Sequence, residues 1–402
     1  MSKDKINASK DRWNVLLLFM LVNIIVQMLW VSFTTVTIAS QSYYGVGEEE
    51  ILLLALTFMI VYIPVTFISA WIIDKYDFKI GASIGAFFIG IFGFLRFFAF
   101  SNYILVLIFQ IGIAIGQPFI LNVYTKLSAN WFPQNERQTA TGLSMLSQFL
   151  GIALGLLLTP FIVEGLGDLG IGVMNLIYGL IAIIIGFLFI MFAKNRPSIA
   201  PSNQVSSEKV MMTEGLKQLF RNKSFIFLFI SFFFGVGVLN WLIGYSGLIV
   251  EGKGYTPIFA GVFSSLMVFG GIIGSGVISI LAAKVKNRKY LMVISFLIAT
   301  ISLFVISITN EAISLNVFSF LLGFGILSAA PVALEYVVDI TKPVPEASSN
   351  GMLMMFGQVG GIVLMLGLLD LKLPDGNYLP ALILQAIFLA IVVILAYLLE
   401  EK

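Results

Sequence analysis

The sequence predicts an all-α membrane protein in which twelve transmembrane helices form two pseudosymmetric six-helix bundles. Composition is the first reason: of 402 residues, 59% are hydrophobic and only 11% charged, too little polar surface to cover a globule in water. Apolar runs are the second. A bilayer core needs about 20 apolar residues per helix, and such runs recur at 13–40, 50–74, 79–100, 103–131, 138–164, 170–194, 223–251, 256–284, 288–309, 312–341, 345–372 and 377–399. The third is charge. With the N-terminus inside, every one of the 23 Lys and Arg except Arg96, Lys253 and Lys372 falls on an inner segment, and the outer loops carry acids such as Glu48-Glu49-Glu50, Glu164, Asp168, Glu251 and Glu311. A miscounted span would scramble that alternation. An even count puts both termini on the cytoplasmic side, and a plasma-membrane location is expected.

Taken in order, the first run lacks a small-residue cleavage site and is followed by eleven more, so it reads as a membrane helix and not a removed leader. It carries Asn23 and Gln27 at i and i+4, with Trp30 three residues on, which makes one polar stripe ending in an aromatic. Trp30 sits away from the interfacial belt where Trp is common; it is either packing or a cation-holding face worth about 0.5–2 kcal/mol. After span 2 comes Ala70-Trp71-Ile72-Ile73-Asp74-Lys75-Tyr76-Asp77-Phe78-Lys79. A carboxylate at a helix end beside Lys75 and Lys79 can lock one bundle against a neighbouring helix terminus.

Span 3 holds Arg96 and span 10 holds Glu335, the two ionisable residues placed well inside the bilayer, where insertion of a charge costs at least about 2.5–3.5 kcal/mol. Arg96 either snorkels to the outer face or serves gating. Glu335 either titrates as a proton-coupling acid or pairs with inner-loop bases as a gate. Gln117 in span 4 and Gln358 in span 11 are uncharged amides that fit interhelical bonding or ligand binding. Asn122 and Gln148 extend that polar set, and Asn240, Trp241 and Tyr245 occupy span 7. Gly142, Gly151 and Gly155 in span 5 permit close mobile packing.

The division expected is a bundle over 1–197, a basic linker over 198–222 that brings Lys209, Lys217 and Arg221 together, and a second bundle over 223–402. The halves echo each other. Gln117-Pro118, Asn122, Pro133, Glu136, Gly142, Gln148 and Gly151 are answered by Ala330-Pro331, Glu335, Pro345, Glu346, Gly351, Gln358 and Gly360. Two such halves joined by a basic loop resemble the major facilitator superfamily, whose substrate site lies near mid-membrane between the halves. The Asp74-Lys75 loop resembles that superfamily's inner signature, with Asp77 standing where Gly is preferred; the matching second-half loop, Ala282 to Lys289, keeps the bases without the acid.

A more specific set of motifs comprises Leu29-Trp30-Val31-Ser32-Phe33, Trp71-Ile72-Ile73-Asp74, Gly93-Phe94-Leu95-Arg96, Gly116-Gln117-Pro118-Phe119, Thr125 to Pro133, and Glu136 to Gly142. In these the chain is similar, within that superfamily, to the feline leukaemia virus subgroup C receptor-related (FLVCR) family. The match is dense over 12–160; in the second half it rests on Pro345 to Gly351 and Gln358. The resemblance implies a facilitator of choline or ethanolamine, with haem less favoured, in which Trp30 supplies the aromatic of the cation site and Trp241 or Tyr245 its counterpart on span 7.

With no Cys and no His, the chain has no disulfide, thiolate or imidazole chemistry, and it shows no phosphate-binding loop or paired nucleophile and base. No enzyme activity, cofactor, metal or nucleic-acid partner is expected. The expectation is an alternating-access transporter, working as a monomer on a small organic solute. Substrate binding is assigned to Asn23, Gln27, Trp30, Gln117, Trp241, Tyr245 and Gln358, and gating to Asp74, Lys75, Lys79, Arg96, Asn122 and Glu335. A proton-coupled carrier of an unrelated metabolite and a non-transporting receptor stay open as alternatives.

Overall fold

The computed structural model describes residues 11–197 and 219–400, apart from 283, 286, 343 and 345 and the side chains of 346–348; Lys209, Lys217, Lys286 and most of the expected linker lie outside the described residues. The chain divides into two compact units, Met1–Ser206 and Ser207–Lys402. Among the described residues, eleven stretches are long and apolar enough to cross a membrane. One of them, Arg137–Phe192, holds two helices parted by the 3₁₀ turn Gly167–Leu169, which makes twelve.

The first unit contains α1 (Asp11–Val31), α2 (Thr37–Tyr44), α3 (Glu48–Tyr76), α4 (Phe78–Leu95), α5 (Tyr103–Leu121), α6 (Tyr124–Trp131), α7 (Arg137–Leu166) and α8 (Gly170–Phe192). The second contains α9 (Lys223–Gly244), α10 (Ser246–Glu251), α11 (Pro257–Ala282), α12 (Arg288–Ile308), α13 (Ala312–Ile340), α14 (Glu346–Gly367) and α15 (Leu379–Tyr397). Polar side chains fix where several of these start. Asn102 caps α5 by accepting from Leu105 N at 3.1 Å, and Asn222 caps α9 by accepting from Phe225 N at 3.2 Å.

Packing follows the small residues, since helices in lipid gain most from close backbone approach. In the first unit α1 lies on α7, α3 on α5, and α4 on α5 and α8. In the second unit α9 lies on α14, α11 on α13, and α12 on α13 and α15. Numbered by span, these are the same pairings in each half. A Cβ on Gly151 would collide with the Ile24 backbone and one on Gly155 would come 2.9 Å from the Met28 Cα, so both glycines seat α1. Gly237 does the same at α9, where a Cβ would lie 2.9 Å from the Gly360 carbonyl carbon. Gly142, grouped with them from sequence, has open space at its Cβ position and takes no part in that contact.

Two expected spans are interrupted. Span 1 reads as continuous over 13–40 in the sequence, but α1 stops at Val31 and α2 begins at Thr37. No proline or glycine stands between them. Span 4, expected over 103–131, ends as α5 at Leu121, one turn past Pro118, which has no N–H to give the ladder, and resumes as α6 at Tyr124. Span 7 is continuous but for Tyr245, whose N–H still bonds Trp241 O at 2.8 Å.

Candidate functional site

The break in span 1 has a specific holder. Ending α1 at Val31 leaves its last carbonyls without helical partners, and Arg96, wholly buried at the end of α4, turns toward them. Its Nη1 donates to Leu29 O at 3.3 Å, Ser32 Oγ at 3.0 Å and Gln110 Oε1 at 3.0 Å. The Gln110 amide nitrogen reaches the same Leu29 carbonyl at 3.4 Å and Leu54 O at 3.3 Å. The guanidinium carbon lies 4.8 Å from the Phe33 ring centroid. The negative end of α1 and the aromatic face both favour the cation, although all three bonds use Nη1 and the buried Nε and Nη2 have no hydrogen-bond partner among the described residues. Arg96 therefore does not snorkel to either surface. Gln110, which sequence reasoning passed over, is its partner, although an amide in the middle of an apolar span was a visible signal.

One residue before the break stands Trp30, 8% exposed, with Nε1 donating to Ala55 O at 3.2 Å and the indole tilted toward Phe58 at 6.5 Å. One turn back, Gln27 Oε1 accepts from Gln117 Nε2 at 3.4 Å, and the Gln27 amide nitrogen has no partner. So Gln27, Trp30 and Gln117, from α1 and α5, come together. Asn23 belongs elsewhere. Its amide nitrogen lies 2.8 Å from Tyr124 Oη, 2.9 Å from Ser147 Oγ and 2.9 Å from Ser144 O, which spends it on joining α1 to α6 and α7. Gln148 Oε1 accepts from the same Tyr124 hydroxyl at 3.2 Å.

In the second unit, Asn240 donates to Gln358 Oε1 at 3.2 Å, bridging α9 and α14. Trp241 is stacked on Tyr245 with centroids 4.5 Å apart and planes at 15°, and Tyr378 meets both edge-on. The Tyr245 hydroxyl donates to Met365 O at 2.8 Å. Both Trp241 and Tyr245 are 0% exposed, and the Trp241 Nε1 has no hydrogen-bond partner. Asn240 precedes Trp241 in the chain and links Gln358 to that position through its hydrogen bond.

The loop between α3 and α4 is tied differently from the expectation. Asp74 is exposed and, among the described residues, pairs with Lys126 at 3.9 Å; Lys75 lies over the Trp71 ring at 4.8 Å, and Lys79 contributes its backbone N–H to Asn195 Oδ1 at 3.4 Å. The more sheltered carboxylate is Asp77, whose side chain is 12% exposed. It accepts from Phe78 N at 2.8 Å, Asn130 Nδ2 at 2.7 Å, Asn195 Nδ2 at 3.2 Å and Arg196 Nη2 at 3.1 Å. Burial alone would raise its pKa; the Phe78 N–H, the Asn130 amide and the Arg196 guanidinium outweigh that and hold it below the ordinary 3.8. Its φ of 79° and ψ of 170° fall where glycine is at ease, which accounts for the glycine preferred in the signature it resembles.

Two more polar ties join helices of the first unit. Arg12 pairs with Glu136 through Nε at 3.0 Å and Nη2 at 3.3 Å, joining the start of α1 to the start of α7. Asn122 donates to Ser69 Oγ at 2.7 Å and Thr66 Oγ1 at 2.9 Å, joining the end of α5 to α3. Glu335 departs from the expectation of a buried acid: its side chain is 58% exposed, and it pairs with Arg288, the first residue of α12, at 3.3 Å. Among the described residues no cluster of acids is arranged to hold a metal.

Among the described residues, twelve apolar helices in two units with matching pairings, and polar clusters at a broken helix, define a multi-pass membrane protein of duplicated architecture, the build of a membrane transporter. The signature of the Major Facilitator Superfamily is matched over residues 15–365, and the chain belongs to that superfamily. Its similarity runs to solute carrier family 49 member A3 of Xenopus tropicalis, 28% identical over 382 residues that cover 90% of this chain and 78% of the relative. The choline/ethanolamine transporter FLVCR2 of Rattus norvegicus is 25% identical over 377 residues, covering 89% and 69%. Among solved structures, a bacterial homologue of the human lysosomal transporter Spinster, inward-facing and unoccupied, aligns with a TM-score of 0.75 at 14% identity over 97% of each chain. A variant of the Escherichia coli fucose:proton symporter FucP aligns with a TM-score of 0.63 at 15% identity, over 97% of this chain and 98% of that one. At those identities the structures speak for the fold alone.

Proposed function

We propose that this chain is an alternating-access facilitator of a small organic cation of the choline or ethanolamine kind. The observation that carries the reading is the Gln27, Trp30 and Gln117 group beside the break in span 1: one aromatic and two neutral amides. An indole face attracts an ammonium through its quadrupole, and amides offer acceptors to a hydroxyl without adding charge. Relatives named as choline/ethanolamine transporters support the same substrate class. Asn240, Trp241, Tyr245 and Gln358 are the corresponding group of the second unit in this proposal, with Asn23 in a supporting place.

Facilitation without proton coupling is supported by the placement of Glu335, which is exposed and ion-paired with Arg288. Asp77, with Asp74, Lys75 and Lys79 beside it, forms the latch of the first unit; Arg96 and Asn122 hold the helix breaks. The distribution of Lys and Arg supports both termini on the cytoplasmic side of the plasma membrane, and one chain supplies both bundles, which supports a monomer. Uptake and binding in Trp30 variants test the assignment. Trp30→Phe should keep most choline binding and Trp30→Ala should weaken it by about 0.5–2 kcal/mol, or roughly 2- to 30-fold. Equal losses in the two variants would remove Trp30 from the cation site.

A further inference from the structure

The second unit holds a cavity of about 540 Å³ at one end of its bundle, away from the amides and aromatics described above. Three chain segments build it: Leu219 to Lys223 leading into α9, the end of α13 with its following turn from Ile340 to Val344, and Glu400 beyond α15. Its frame is internally bonded. Asn222 Nδ2 donates to Ile340 O at 3.0 Å, the Tyr336 hydroxyl donates to Glu400 O at 2.6 Å, and Glu400 N donates to Ser224 Oγ at 3.4 Å. The floor is apolar and buried: Leu219, Ile340 and Val344 are each less than a tenth exposed. The rim carries Arg221, Lys223 and Lys342 against the one carboxylate of Glu400. Lys342 is held by Asp339 at 3.2 Å, whereas no carboxylate among the described residues lies within ion-pair reach of Arg221 or Lys223.

We infer that this cavity seats a phosphate group, and that an anionic phospholipid headgroup is its natural source. A built frame with two cations that have no carboxylate partner among the described residues, set over an apolar floor, suits a ligand charged at one end and greasy at the other. The cavity also sits where three membrane helices begin or end, which is the depth of the headgroup layer, and basic pockets between helices at that depth bind anionic lipid heads. Arg221 contributes a planar fork that matches two phosphate oxygens, and Lys223 a point charge.

The test is native mass spectrometry of the detergent-purified full chain, titrated with dioleoyl-phosphatidylglycerol, dioleoyl-phosphatidylcholine or inorganic phosphate. Phosphatidylglycerol should bind more tightly than phosphatidylcholine. Arg221→Gln and Lys223→Gln should each weaken it about fivefold. Lys284→Gln, an equal charge loss on the same basic face but outside the cavity, should change it less than about twofold. All of these side chains are exposed, so folding is not at issue. Inorganic phosphate that binds alone, with the same sensitivity to Arg221 and Lys223, would identify a soluble phosphate compound as the source while supporting the site. Equal binding of the two lipids with no phosphate binding, or an equal loss in Lys284→Gln, would overturn it.

Discussion

Arg96 is the residue whose environment was least legible in the sequence and most informative in the structure. Depth in the span could be counted; what compensated the charge could not, because the acceptors at Leu29 and Ser32 lie more than sixty positions away in the chain. Arg96→Gln should lower thermal stability by about 1–3 kcal/mol, the cost of removing a charged donor from buried acceptors. It should also impair choline binding through Trp30, one residue from the bonded carbonyl; a variant of wild-type stability and affinity would show that the break in span 1 holds without it. Asp77 escaped for the opposite reason. A motif read by position puts the acid at Asp74, while the fold shelters the one three residues later. Because the carboxyl of Asp77 ionises below its ordinary value in the folded chain, its contribution is complete at neutral pH and is lost only as pH falls through that lowered value. Thermal unfolding followed from neutral pH down to about pH 3 should therefore show an acid-side loss of stability that shrinks in Asp77→Asn. An unchanged profile would mean the carboxylate contributes nothing as an ion.

At the scale of helices, length and hydrophobicity located every span, and the breaks within spans 1 and 4 escaped because the chain stays apolar across them. Pro118 at least marked the second; the first is a tertiary effect with no local cue. Helix contacts were half visible. Glycine suggested close approach, but only the packing distinguishes Gly151, which faces the Ile24 backbone, from Gly142, which faces nothing within 4 Å. Gly151→Ala should force α1 and α7 apart and cost about 1–3 kcal/mol. Gly142→Ala, inside the same helix, should be neutral or stabilise by about 0.5–1 kcal/mol through helix propensity. Melting temperatures of the two variants check this directly, and similar values would deny the close contact.

For the whole molecule, the number of spans and the duplication of the halves were readable from charge phase and from echoed Gln, Pro and Gly positions, and the duplication reappears as the same helix pairings in each unit. Substrate was not readable to that degree, since amides and aromatics serve packing and binding alike. Glu335 shows how a whole-molecule property hangs on one placement: sequence position left it as either a coupling acid or a gate, and the structure places it exposed and paired with Arg288. The most direct test is choline counterflow in proteoliposomes holding the purified chain, with and without an imposed pH gradient. We expect labelled choline to accumulate only in vesicles preloaded with unlabelled choline, at a rate indifferent to the gradient. Binding of choline without counterflow, or accumulation that requires the gradient, would contradict the account.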